Sequence, residues 1–279
     1  MDGKSPDGND VRPWLRVEQG GAPLLLSFPH TGTELGSFES RFISPWRARK
    51  DADWWVEKLY DFAAGMGATL VRTAMSRTVI DVNRDPSGVS LYPGQATTEL
   101  CPTTTFDGEA LYLPGQEPTA DDIAQRRAQY FTPYHDALAV EVARLRTLHP
   151  RVVVYDCHAI RSSVPRLFEG MLPNFNIGTN GGVTCDPELA TAVQGVCAAS
   201  SFSHVLNGRF KGGFITRNNG KPDEGVHAIQ MELACRGYMR ESVGAVDEGA
   251  WPPAYDEEYA APLRAVLKSI LEACLKFAA

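Results

Sequence analysis

Two histidines stand where hydrophobic runs end. His30 closes Pro23-Leu24-Leu25-Leu26-Ser27-Phe28-Pro29, and His158 closes Arg151-Val152-Val153-Val154-Tyr155-Asp156-Cys157. Imidazole nitrogen is a common metal donor. A catalytic zinc takes about three protein ligands and keeps a position for water, and carboxylate oxygen is a suitable partner to histidine. The acids nearest in type and position are Asp51 and Asp53, in Lys50-Asp51-Ala52-Asp53-Trp54; Glu34 is less well placed. Asp53 is the preferred third ligand, with Asp51 supporting it and remaining the alternative. Asp156 lies two residues before His158, shares its strand face, and is suited to hold the imidazole.

A metal-assisted hydrolase also needs a base for its water. Glu232, within Ala228-Ile229-Gln230-Met231-Glu232-Leu233-Ala234, is the candidate, because apolar neighbours raise a carboxyl pKa. Arg77, Arg84 and Arg217 each sit beside a turn, and guanidinium groups pair with carboxylates. Three of them suggest a small substrate with more than one carboxylate. Each residue also has an ordinary reading: helix capping for Asp51 and Asp53, an exposed helix stripe for Glu232, scattered surface for the arginines. His135, His149, His204 and His227 lack a comparable setting and read as structural.

These side chains must be positioned by the elements around them. Residues 23–29 predict a buried strand whose loop begins at His30. Residues 51–65 predict a helix with both aspartates at its start. Residues 68–73 and 77–84 predict two further strands, the second ending in Asn83-Arg84. From Gly88 to Pro118 the chain is rich in Gly, Pro and Thr, and a long loop walling a pocket is expected. Thr119 caps a helix reaching Leu148, which leads into the Val152-Val153-Val154 strand. Helices are expected over 187–200 and 262–279, a strand over 210–217, and a strand or helix over 226–239. Strand–helix–strand succession predicts an α/β fold: one domain over residues 13–279, with a mixed, largely parallel central sheet flanked by helices. In such sheets ligands bind at the carboxyl ends of strands, where both histidines fall.

The 279-residue chain is 22% charged and 43% hydrophobic, with net charge -7. No dense basic run suits a nucleic-acid partner, and no stretch approaches the roughly eighteen apolar residues of a membrane span. The opening residues, 1–12, carry no secretory h-region; a flexible terminus and a cytoplasmic location are expected. The six cysteines form no C-x-x-C pair and are expected to be reduced and buried. Cys157 abuts His158 but must face the other side of an extended strand, which disfavours a cysteine hydrolase.

Several segments together resemble the N-formylglutamate amidohydrolase (deformylase) family. They are Ser27-Phe28-Pro29-His30-Thr31-Gly32, Asp51-Ala52-Asp53-Trp54, Ser76-Arg77-Thr78-Val79-Ile80-Asp81-Val82-Asn83-Arg84, Pro165-Arg166-Leu167-Phe168-Glu169-Gly170, Asn176-Ile177-Gly178-Thr179-Asn180-Gly181-Gly182 and Gly208-Arg209-Phe210-Lys211-Gly212-Gly213-Phe214-Ile215-Thr216-Arg217. The resemblance spans nearly the whole chain. It implies a zinc-carboxypeptidase-like (phosphorylase/hydrolase-like) fold and hydrolysis of N-formyl-L-glutamate to formate and L-glutamate, the last step of one histidine-degradation route. The cofactor implied is Zn2+ or another divalent metal on His30, Asp53 and His158. By similarity to zinc carboxypeptidases, Asn83-Arg84 would hold a substrate carboxylate, Glu232 would be the catalytic acid–base, and Arg77 would polarise the scissile carbonyl or hold the second carboxylate. Arg217 would assist in binding. The competing readings are a deacylase of another N-acyl amino acid and a noncatalytic dicarboxylate-binding protein.

Overall fold

Residues 12–89, 94, 97–242, 244 and 246–279 are described by the computed structural model. Leu15–Glu18 (β1) is an edge strand, and Leu24–Phe28 (β2) is buried at all its positions, as the apolar run requires. Two short helices follow, Pro45–Arg49 (α1) and Val56–Leu59 (α2), before Thr69–Thr73 (β3). Helices Ala120–Arg126 (α3) and Thr132–Leu148 (α4) are joined without a break by a π-helical turn at Arg127–Phe131. Val152–Ile160 (β4), Phe175–Gly178 (β5), Pro187–Ala198 (α5) and His204–Leu206 (β6) come next. Phe214–Asn219 (α6), Val226–Ala234 (β7) and Glu257–Ala278 (α7) complete the order.

The strands form one sheet in the order β1-β3-β2-β4-β7-β5-β6. The four central strands are mutually parallel, while β1 joins β3 and β5 joins β7 antiparallel. The sheet is therefore mixed and largely parallel, as the alternation of elements predicts. Strand alternation divides the core in two. Leu24, Leu26, Tyr155, Cys157, Ile229 and Met231 lie in one apolar cluster with Leu189 and Val193 of α5 and Leu263 and Leu267 of α7. Leu25, Val152, Val154, Val226 and Ala228 lie in the other, with Tyr134, Leu138 and Leu145 of α4.

On this second face the character changes along the strands. After Val152 and Val154, β4 presents Asp156 and His158; after Val226 and Ala228, β7 presents Gln230 and Glu232. The register aligns Asp156 with Gln230 and His158 with Glu232. Two neighbouring strands thus turn polar at the same level, near their carboxyl ends.

Thr119 caps α3 through a capping box with Asp122, so the predicted start of the 119–148 helix is correct. Other expectations are corrected. Residues 51–65 do not form one helix: α2 is a single turn followed by 3-10 turns at Asp61–Met66, and both aspartates precede it. Residues 77–84 are turns rather than a strand, since Asp81 caps the Asn83 amide at 2.9 Å and Val79 N–H returns to the Ser76 carbonyl. The strand expected over 210–217 is replaced by α6. Residues 226–234 are strand, buried on both faces. Residues 1–11, most of the expected flexible terminus, lie outside the described residues, as do parts of the 88–118 loop.

Candidate active site

His30 follows β2, and its backbone carbonyl accepts the Asp53 amide at 2.9 Å. This bond folds the 50–54 segment over the strand end and brings Asp53 to His158, whose Nδ1 lies 3.2 Å from Asp53 Oδ2. The Ala159 amide donates to the same oxygen at 3.1 Å. His30 Nδ1 stands 3.7 Å from Asp53 Oδ2, and the two imidazole centroids are 4.8 Å apart. One ligand atom from each of the three buried residues lies within 4.8 Å of the others. The structure therefore brings together the sequence-predicted trio.

The donor set suits a metal of zinc type. Donors on a tetrahedral ion with bonds of about 2.0–2.1 Å stand roughly 3.3–3.5 Å apart, close to the His158–Asp53 and His30–Asp53 separations. His30 Nδ1 and Asp53 Oδ1 are buried and make no hydrogen bond among the described residues. The opposite nitrogens are held by carboxylates: His30 Nε2 by Asp81 at 2.6 Å, and His158 Nε2 by Asp156 at 3.0 Å. Such partners fix the ring and its tautomer so that the other nitrogen is presented to a cation.

Asp156 thus stands where the sequence suggests. Asp51 does not: its carboxylate accepts the Phe106 amide at 2.6 Å and approaches Arg161 at 3.4 Å, so it anchors the 103–110 loop. Asp81 occupies the supporting position instead. It also accepts from Arg77 Nη2 at 2.8 Å and lies 3.5 Å from Arg84 Nη2.

The electrostatics follow from burial and this density of acids. Burial and the nearby Arg77 lower His30 to about 4. Burial also disfavours a charged His158, but Asp156, Asp53 and Glu232 outweigh it and hold the imidazole well above its ordinary value. Burial disfavours the Asp81 carboxylate, yet Arg84, His30 and Arg77 hold it well below the usual range. Glu232 is pushed up to about 7, chiefly by burial. These acids create a site that demands positive charge.

A cleft opens above the trio; His30, His158, Glu232, Arg77, Asn83 and Arg84 contribute to its lining. Thr97, Thr98 and Phe106 wall it from the 88–118 loop, as expected of that segment. Arg77 lies 3.6 Å from Asp53 and beneath the Phe106 ring, 4.8 Å from its centroid. Asn83 accepts the Ile215 amide through Oδ1 at 2.7 Å and places Nδ2 2.9 Å from His158 Nε2. Gly213 is required here, because a Cβ would come 2.4 Å from Asn83 Nδ2. Arg84 grips Thr98 Oγ1 at 2.9 Å.

Arg217 is not among the cleft-lining residues; it sits on α6 with Nε on the Gly212 carbonyl at 2.9 Å. Arg209, unassigned from sequence, lines the cleft instead. Cys157 is on the opposite face, in the apolar core, where burial pushes its thiol well above the ordinary value.

The fold and site define an α/β protein with a two-histidine, one-carboxylate centre under a basic cleft. Comparison with known proteins narrows the class. Residues 22–239 match the N-formylglutamate amidohydrolase family, and the chain belongs to it. It is 46% identical over 263 residues to the N-formylglutamate deformylase of Pseudomonas aeruginosa, covering 94% of this chain and 96% of that one. It is 44% identical to the N-formylglutamate deformylase of Pseudomonas putida, covering 95% and 97%. Its fold is similar to the crystal structure of N-formylglutamate amidohydrolase from Ralstonia eutropha, with TM-score 0.73 and 23% identity over 95% of this chain and 96% of the other.

Proposed function

We propose that this protein hydrolyses N-formyl-L-glutamate to formate and L-glutamate, using a divalent metal, zinc by its donor set, held by His30, Asp53 and His158. The observation that carries the reading is Glu232, buried and directly across the strand pair from His158, beside three donors suited to a metal. When bound, the metal would supply Lewis acidity to the water and to the formyl oxygen. Glu232 accepts the proton of the attacking water and returns it to the amide nitrogen as the C–N bond breaks. A carboxyl poised near 7 can do both.

Arg77, pinned between Asp53, Asp81 and the Phe106 ring, is placed to neutralise charge developing on the formyl oxygen. Asn83 and Arg84, at the same end of the cleft, address the substrate carboxylate next to the scissile bond. Asp81 and Asp156 orient the imidazoles and take no direct part. On this reading the enzyme acts in the cytoplasm, in histidine degradation. The names of the relatives support the substrate, and the donor geometry supports the metal.

The test is release of formate from N-formyl-L-glutamate by purified protein, before and after chelation and for His158→Ala. The expected result is turnover lost on chelation and restored by zinc, with both turnover and stoichiometric zinc lost in the variant. Full activity in His158→Ala would overturn the scheme. Ligand affinity without turnover in zinc-loaded protein would favour a noncatalytic binder, and faster release of acetate from N-acetyl-aspartate would favour another deacylase.

A further inference from the structure

The lining of the cleft has two characters. Part of it is polar: His30, His158, Glu232 and the Asn83-Arg84 pair. Part is apolar: Ile160, Leu167 and Phe210 belong to a separate hydrophobic cluster that also contains Phe106, Val164 and Leu172. Arg209 lines the cleft beside Leu167 and Phe210. Its Nε donates to the Leu167 carbonyl at 2.9 Å, and its guanidinium carbon sits 5.2 Å from the Phe210 ring centroid. That tether joins the 165–170 and 208–213 segments and fixes the plane of the guanidinium.

The other two arginines lining the cleft stand at the reacting end: Arg77 pairs with Asp81 and approaches Asp53, and Arg84 bonds Thr98 and lies near Asp81. A substrate with two carboxylates, one beside the scissile amide and one at the end of a short aliphatic chain, needs a cation at some distance from the reacting centre. An arginine among apolar side chains supplies it, because a guanidinium–carboxylate fork is worth most where water is scarce.

We infer that Arg209 is a specificity-determining residue that receives the side-chain carboxylate of the substrate, while Ile160, Leu167 and Phe210 line its methylene groups. The inference deepens the deformylase reading and rests on it.

The experiment compares N-formyl-L-glutamate with N-formyl-L-norvaline, whose side chain ends in a methyl in place of the carboxylate, in zinc-loaded wild type, Arg209→Met and Arg209→Lys. In Arg209→Met, kcat/KM for the glutamate substrate is expected to fall about 100-fold, mainly through KM, and at least tenfold less for the norvaline substrate. Arg209→Lys is expected to recover part of the preference. Zinc content and thermal unfolding report whether each variant is folded; if Arg209→Met is not, the same selective loss is read in Arg209→Lys. Equal losses on both substrates, or an unchanged preference in a folded variant, would overturn the assignment. Absence of wild-type turnover on N-formyl-L-glutamate would instead overturn the deformylase reading itself.

Discussion

Asp81 Oδ1 lies 2.6 Å from His30 Nε2, on the side of the ring away from Asp53. The contact makes Asp81 the support of the first histidine, as Asp156 is of the second. Asp81→Asn is expected to weaken zinc binding about 10- to 100-fold, measured by competition with a chelator. An unchanged affinity would show that His30 is oriented without it.

Glu232 is pushed up to about 7 by burial. It can accept a proton only when ionised, so kcat/KM is expected to fall as the pH drops below about 7. Glu232→Gln should lose roughly 100- to 10,000-fold in kcat and keep its zinc. Wild-type kcat in a folded, zinc-loaded Glu232→Gln would exclude Glu232 as the base, and a rate flat within about one unit either side of pH 7 would place its titration outside that range.

Asp51 holds the Phe106 amide, and Phe106 covers Arg77. Asp51→Ala is expected to cost about 1–3 kcal/mol of stability and raise KM, with zinc affinity unchanged. A loss of zinc comparable to that of Asp81→Asn would return Asp51 to the metal's support, where the sequence reading placed it.

Asp122 closes the capping box of α3 and pairs with Arg41 at 3.0 Å. The Arg41 hydrogen bond, followed by the Thr119 amide, holds its carboxyl well below the usual range. A depressed carboxyl stabilises the fold above its unfolded pKa, near 4, and that contribution fades as the pH falls through the folded value. Asp122→Asn should therefore cost about 0.5–1 kcal/mol at pH 7, and the difference from wild type should shrink in strong acid. Urea melts at pH 7 and pH 3 measure both; a difference that grows on acidification would contradict the assignment.

The two histidines were legible in the sequence because each ends a run too apolar to be anything but buried. The reading of Glu232 gained from topology: its segment is compatible with helix or strand by composition, and only the β4–β7 register sets it opposite His158. Asp81 was missed because residues 77–84 alternate like a strand, which hides the turn made by the Asp81 carboxylate on the Asn83 amide. Arg217 was named and Arg209 left without a role for the same reason. A strand over 210–217 would deliver Arg217 to a sheet end, but Gly212 and Gly213 turn the chain into α6 and leave Arg209 on the cleft. The short strands β1, β5 and β6 are defined by pairing with distant segments that no local pattern announces.

Cys157 precedes a proposed ligand in the chain and yet is shut off from it by the sheet. A cation entering the cleft meets imidazole and carboxylate, with the adjacent thiol turned to the other side. Soft ions such as Cu(I), which favour sulfur, are thereby denied the donor they would prefer, while borderline ions find a complete set. Alternation along one strand thus acts as a filter on metal identity, and the same partition should leave activity intact when the native protein meets an alkylating reagent.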